Sequence, residues 1–226
     1  MALIVAVFGT ASGSAQEATP QAHTHDSAET DVMHLMSSIK MSAHLHLKLT
    51  ELRPSNEQDR LRGEEIVQQL RAALKKYKDY RVAEQDGYLP FLPDLDLPQY
   101  HFTNNKYGLI GALWFRPAKP TSLLYRKTAK GYELRGAMYA ASQFATESEL
   151  NRRVPLSVAR WHAHINICLP PKKDYLSADW KQFGFDGAIA TEQACTDAGG
   201  TFHPQMFGWM VHVYPFEKKP EKIWAH

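Results

Sequence analysis

The stretch Ala159–Cys168, Ala-Arg-Trp-His-Ala-His-Ile-Asn-Ile-Cys, constrains the fold more than any other. It alternates with a period of two, which is the β-strand pattern, because successive strand side chains point to opposite faces. Trp161, Ala163, Ile165 and Ile167 form a continuous apolar row fit for a core. His162, His164, Asn166 and Cys168 share the other face, a row of metal-binding and hydrogen-bonding groups. A His-x-His pair on a strand aims two imidazoles at one point.

A second strand of this kind is expected over Phe207–Phe216. There Trp209, Val211 and Val213 share one face, and Met210, His212 and Tyr214 the other. His203 falls in the turn expected just before it, within reach of the same rim. Ser122–Lys127 and Tyr132–Ala140 read as a β-hairpin around Ala129-Lys130-Gly131. Leu134, Gly136 and Met138 are assigned to one face of the second arm, Arg135 and Ala137 to the other. Tyr100-His101-Phe102 is a short strand, with Asn104-Asn105 turning out of it. Leu45, Leu47 and Leu49 alternate with His44, His46 and Lys48 as one more strand.

One long amphipathic helix is predicted from Asn56 to Glu84, with Ser55 and Gln58 as a capping box. Leu61, Ile66, Val67, Leu70, Leu74 and Tyr77 recur at helical spacing, and Glu64, Gln68, Arg71, Lys75 and Lys78 face away. Shorter helices are expected at Val32–Met41, Thr146–Asn151 and Thr191–Cys195. These patterns add up to an α+β fold: an antiparallel sheet or partly closed β-barrel with the long helix packed on it.

Composition narrows the function. The 226 residues suffice for a buried core. A formal net charge of +2, with scattered Lys and Arg, gives no nucleic-acid footprint. Ala2–Gly9 is an apolar run followed by small residues to Ala15, the pattern of a signal peptide over 1–15, although no Lys or Arg precedes it. Residues 16–31 read as a disordered linker carrying His23 and His25, and 32–226 as one domain. No stretch is long and apolar enough for a membrane span, so a soluble secreted or periplasmic protein is expected. In that setting Cys168 and Cys195 are expected to form a disulfide.

Several blocks are similar to a family of uncharacterised exported bacterial proteins: Tyr100–Asn104, Pro120–Tyr125, Leu134–Tyr139, Arg153–Leu156, Trp161-His162-Ala163-His164 and Phe207–His212. The resemblance covers about Leu52 to Phe216 and implies a secreted or periplasmic single domain. It brings no activity, cofactor or catalytic residue.

The chemistry must therefore come from side chains. Nucleophile elbows, zincin motifs, phosphate loops, dinucleotide fingerprints and haem-attachment motifs are all absent. A zinc or copper site needs three or four N, O or S donors around one point. His162, His164 and His212 are the expected ligands, with His203 next; copper or zinc is the expected ion and no organic cofactor is implied. A metal-free pocket for a small polar ligand, built from His101, Asn166, Trp209 and Tyr214 beside His162, is the rival reading. A third is an envelope interaction protein whose histidines are structural.

Overall fold

The computed structural model describes residues 45–224, all within one compact unit. The signal peptide, the linker with His23 and His25, the helix expected over Val32–Met41, and His44 lie outside the described residues.

Seven strands form a single antiparallel sheet in the order β1-β6-β7-β5-β4-β3-β2. They are β1 (Leu47–Leu49), β2 (Leu89–Pro90), β3 (Tyr100–Thr103), β4 (Ser122–Thr128), β5 (Gly131–Ala141), β6 (His162–Leu169) and β7 (Thr201–Val213). Among the described residues β1 and β2 are the edges, so the sheet is open rather than a closed barrel. The class is α+β.

The expected long helix is instead broken. α1 runs Glu57–Leu74, a 3₁₀ turn covers Lys75–Lys78, and α2 covers Tyr80–Gln85. Asp79 is the break: its backbone is extended, and its carboxylate accepts the Arg81 N–H as the N-cap of α2. The α1 cap is Asn56, whose side chain accepts from Asp59 N, rather than Ser55. Ile66, Val67, Leu70 and Leu74 form the buried stripe of α1.

These residues pack with Tyr100, Phe102, Leu123, Tyr139, Trp161, Ala163, Trp209, Val211 and Val213 on one face of the sheet. Each fully buried Leu-sized side chain contributes roughly 1.5–3 kcal/mol. This face, rather than the other, therefore carries most of the stability.

Three further differences from the sequence expectation have local causes. First, the β4–β5 register shifts between Leu124 and Tyr125, so that Leu124 faces Gly136 while Tyr125 faces Leu134. One extra residue on β5 swaps the alternation. Leu134 joins the core face, whereas Gly136 and Met138 stand on the other. Second, β7 begins at Thr201, so His203 lies within a strand and pairs with Ile167. Third, Asn105–Leu113 forms a helix, α3, capped by the Asn104 side chain on Tyr107 N. The remaining helices are α4 (Glu147–Arg153), α5 (Glu192–Asp197) and α6 (Pro220–Ile223).

Among the described residues no helix is long and apolar enough to cross a membrane. Cys168 and Cys195 stand at disulfide distance, Sγ–Sγ 1.98 Å, tying β6 to α5.

Candidate functional site

The second face of the sheet carries imidazoles where a core would carry aliphatics. β3 buries Tyr100 and Phe102 on the core side, so its period of two turns His101 to the second face. β7 does the same with His212, between core-facing Val211 and Val213. On β6, Ala163 joins the core, leaving His162 and His164 on the second face. Met138 faces His212 across β5 and β7, and Met210 faces His162 across β7 and β6. Leu124, Met138 and Met210 are buried together there, with Tyr214 packed against them.

The rings meet. His101 Nε2 and His212 Nε2 are 3.4 Å apart. Ring centroids are separated by 5.0 Å for His162–His212 and by 5.5 Å for both His162–His164 and His101–His212. β3 and β7 are three strand steps apart in the sheet. On a flat sheet that is roughly 14 Å, and perpendicular side chains would keep it. The sheet therefore curls toward the histidine face. A second contact agrees: Phe91, just past β2, meets Phe207 of β7 with centroids 5.9 Å apart.

Bulges and small residues permit the curl. Register shifts lie between Leu124 and Tyr125 and between His162 and His164, and bulges bend strands. Gly136 is needed where it stands: a Cβ there would lie 2.3 Å from Val213 O and 3.0 Å from Tyr214 Cδ1. Gly208 is pressed tighter still, its Cβ position 1.9 Å from Ala141 O.

Burial sets the electrostatics. His162 is 1% exposed. Desolvation lowers the His101 pKa to about 4, so this ring is neutral at pH 7, with one nitrogen donating and the other accepting. Burial raises the Tyr214 pKa, and its hydroxyl donates to Gln99 Oε1 at 3.1 Å.

The segment after β6 closes the rim. Phe185 packs on His164 with centroids 4.6 Å apart and stacks on Phe207. Gly184, at φ +86°, donates to Cys168 O and turns the chain so that Phe185 returns to the sheet. The Cys168–Cys195 link closes the loop that carries this segment. His46, expected on a strand, instead precedes β1 in a helical turn and is fully buried, with Nε2 2.6 Å from Gly187 O.

Of the residues singled out in the sequence, His162, His164 and His212 come together, and His101 joins them. His203 does not: it faces Ile167, at a register position of opposite face to His164 and Met206. Trp209 stands on the core face with Val211 and Val213, with Lys48 Nζ 5.4 Å from its ring centroid. Asn166, at φ +56°, commits its side-chain amide to Leu45 O. The metal-free pocket of His162, Asn166, Trp209 and Tyr214 is thus not assembled as a unit.

Among the described residues, no group of three or more His, Cys, Asp or Glu is arranged to hold a metal ion as placed. No family model matches the chain, and no curated protein or solved structure shows significant similarity to it.

Proposed function

We propose that this is an exported protein that binds one transition-metal ion, copper or zinc, on the curled face of its sheet. His101 and His212 are the founding ligands, His162 the third, and His164 the neighbour that completes or tunes the shell. The observation that carries the reading is the 3.4 Å between His101 Nε2 and His212 Nε2. Two nitrogens about 2.0–2.1 Å from one tetrahedral ion stand roughly 3.3–3.4 Å apart. By the same geometry their ring centroids stand roughly 5 Å apart, as those of His162 and His212 do. An N–H···N hydrogen bond between two neutral rings has a similar length, so the third and fourth imidazoles matter: a hydrogen-bonded pair does not need them.

Binding requires the His162 ring, and for a fourth ligand the His164 ring, to turn toward the pair. Imidazoles flanked by the thioethers of Met138 and Met210 favour copper or zinc over magnesium, calcium or manganese. A neutral His101 is already in the form a metal needs. His203 is not part of the set. The Cys168–Cys195 pair supports an oxidising compartment and hence export.

The test is metal stoichiometry by elemental analysis after loading with Zn²⁺ or Cu²⁺ and desalting. One ion per chain is expected, falling to near zero in the His101→Ala/His212→Ala double variant. Unchanged stoichiometry in a folded double variant would move the site elsewhere, His23 and His25 included.

A further inference from the structure

The geometry points to a second working surface, independent of the histidines: α3 and the loop after it dock on an anionic lipid surface. Leu109 and Leu113, one helical turn apart, are 72% and 63% exposed, and Trp114, next in the chain, is 61% exposed. No residue of α3 is buried. α3 packs Tyr107 on the core and keeps Ile110 half-buried, yet it leaves Leu109 and Leu113 in solvent, an apolar face that covering the sheet does not require. Phe144, 82% exposed, lies four residues beyond Ala140, whose carbonyl sits near Gly111 of α3.

The charge around the patch selects the occupant. No Asp or Glu occurs between Asp96 and Glu133. Within and just after α3 the charged residues are Lys106, Arg116 and Lys119, all exposed and all basic. Exposed apolar side chains that include a Trp, on a segment whose charged residues are all basic, match the boundary between headgroups and acyl chains of an anionic bilayer. A protein-binding patch on this surface would need no single-sign rim.

The base of the patch is held rigid. The Arg153 guanidinium of α4 donates to the carbonyls of Gly111 and Ala112 at the C-terminal end of α3. Asn104 caps the other end, and its amide nitrogen also donates to Asp86 O. The large side chains can therefore insert without the helix having to form on the membrane.

The test is co-sedimentation of the full chain, in chelator, with vesicles of phosphatidylglycerol in phosphatidylcholine and with phosphatidylcholine alone. Binding to the anionic vesicles is expected to exceed binding to the neutral ones by at least about tenfold and to fall with salt. Leu109→Gln/Leu113→Gln/Trp114→Gln should abolish it. Lys106→Gln/Arg116→Gln/Lys119→Gln should remove the preference for anionic lipid. A probe that needs no multiple variant is quenching of tryptophan fluorescence by brominated acyl chains, expected in the native chain and lost in Trp114→Phe. Absence of sedimentation, equal binding to both vesicle types, or quenching retained in Trp114→Phe would overturn the proposal. Self-association that the apolar triple variant abolishes, without vesicle binding, would make the occupant a second copy of this chain.

Discussion

On one face of the sheet Phe102, Leu123, Tyr139 and Val211 pack with the α1 stripe, none more than 3% exposed. On the other, the corresponding positions are held by His101, Met138, Met210 and His212. The first face solves the folding problem: removing apolar area from water is the main favourable term, and aromatic and aliphatic side chains supply it. The second spends the same strands differently. Imidazoles return less on burial, and a desolvated ring such as His101 costs stability as soon as solution favours its charged form. A sheet that needed only to fold would gain by exchanging these rings for Leu or Val. Such departures from packing logic concentrate at functional sites.

The contrast can be broken by mutation. The largest effect belongs to the packed face: Leu70→Ala should destabilise by about 2–5 kcal/mol, because it leaves a cavity under α1. Urea denaturation measures it, and a cost below about 1 kcal/mol would mean that the helix is not the main cover of that face.

Next comes the staple that holds the rim of the histidine face. Cys168 and Cys195 are 27 residues apart, and opening the link with Cys195→Ser should cost about 3–4 kcal/mol in the chain-entropy account. Phe185 rides on the same loop, so metal affinity should fall as well. Mass spectrometry with and without reductant checks the bond itself.

A third test is pH dependence in metal-free protein. His101 titrates near 4 in the fold, against about 6.5 when unfolded. Above pH 6.5 the ring is neutral in both states and contributes nothing. Between pH 6.5 and 4 the unfolded chain binds the extra proton, so stability falls, by up to about 3 kcal/mol at the lower limit. Below pH 4 both states are protonated and the loss levels off. Measured by denaturation from pH 7 to 4, the native chain should lose stability relative to His101→Gln by up to about 3 kcal/mol; parallel curves would mean that His101 is not desolvated.

The smallest stability effect should come from His212→Ala, within about 1 kcal/mol in metal-free protein, although the same change should abolish metal binding. A loss as large as that of Leu70→Ala would make the second face a core after all.

The sequence revealed part of this. The alternation over Trp161–His164 and Trp209–Tyr214 is strong because one face of each stretch is buried, and it correctly separates Val211 from His212 and Ala163 from His164, whereas Ile165 and Ile167, expected in the same apolar row, do not join that core. Register irregularities were not legible. One extra residue at the β4–β5 bulge reverses the faces of Leu134 and Met138, and no local signal marks an inserted residue inside a strand. His203 is expected in a turn because Gly200 and Pro204 read as turn residues, yet β7 starts at Thr201 and runs through His203 and Pro204.

The partnership of His101 with His212 depends on sheet curvature, which a linear pattern does not encode. α3 has no fully buried residue and carries Leu109 and Leu113 on its exposed side, so it lacks the one-sided apolar period that betrays a helix. The break in the long helix did have a signal: Asp79 is a good N-cap, and a cap in mid-helix starts a new one.

The most direct test of the histidine face is X-ray absorption at the edge of the loaded metal. At least three nitrogen donors are expected at about 2.0–2.1 Å, with outer-shell scattering from imidazole rings and one ring fewer in His162→Ala. A shell of oxygen donors without imidazole scattering, or a shell unchanged in the His101→Ala/His212→Ala variant, would contradict it.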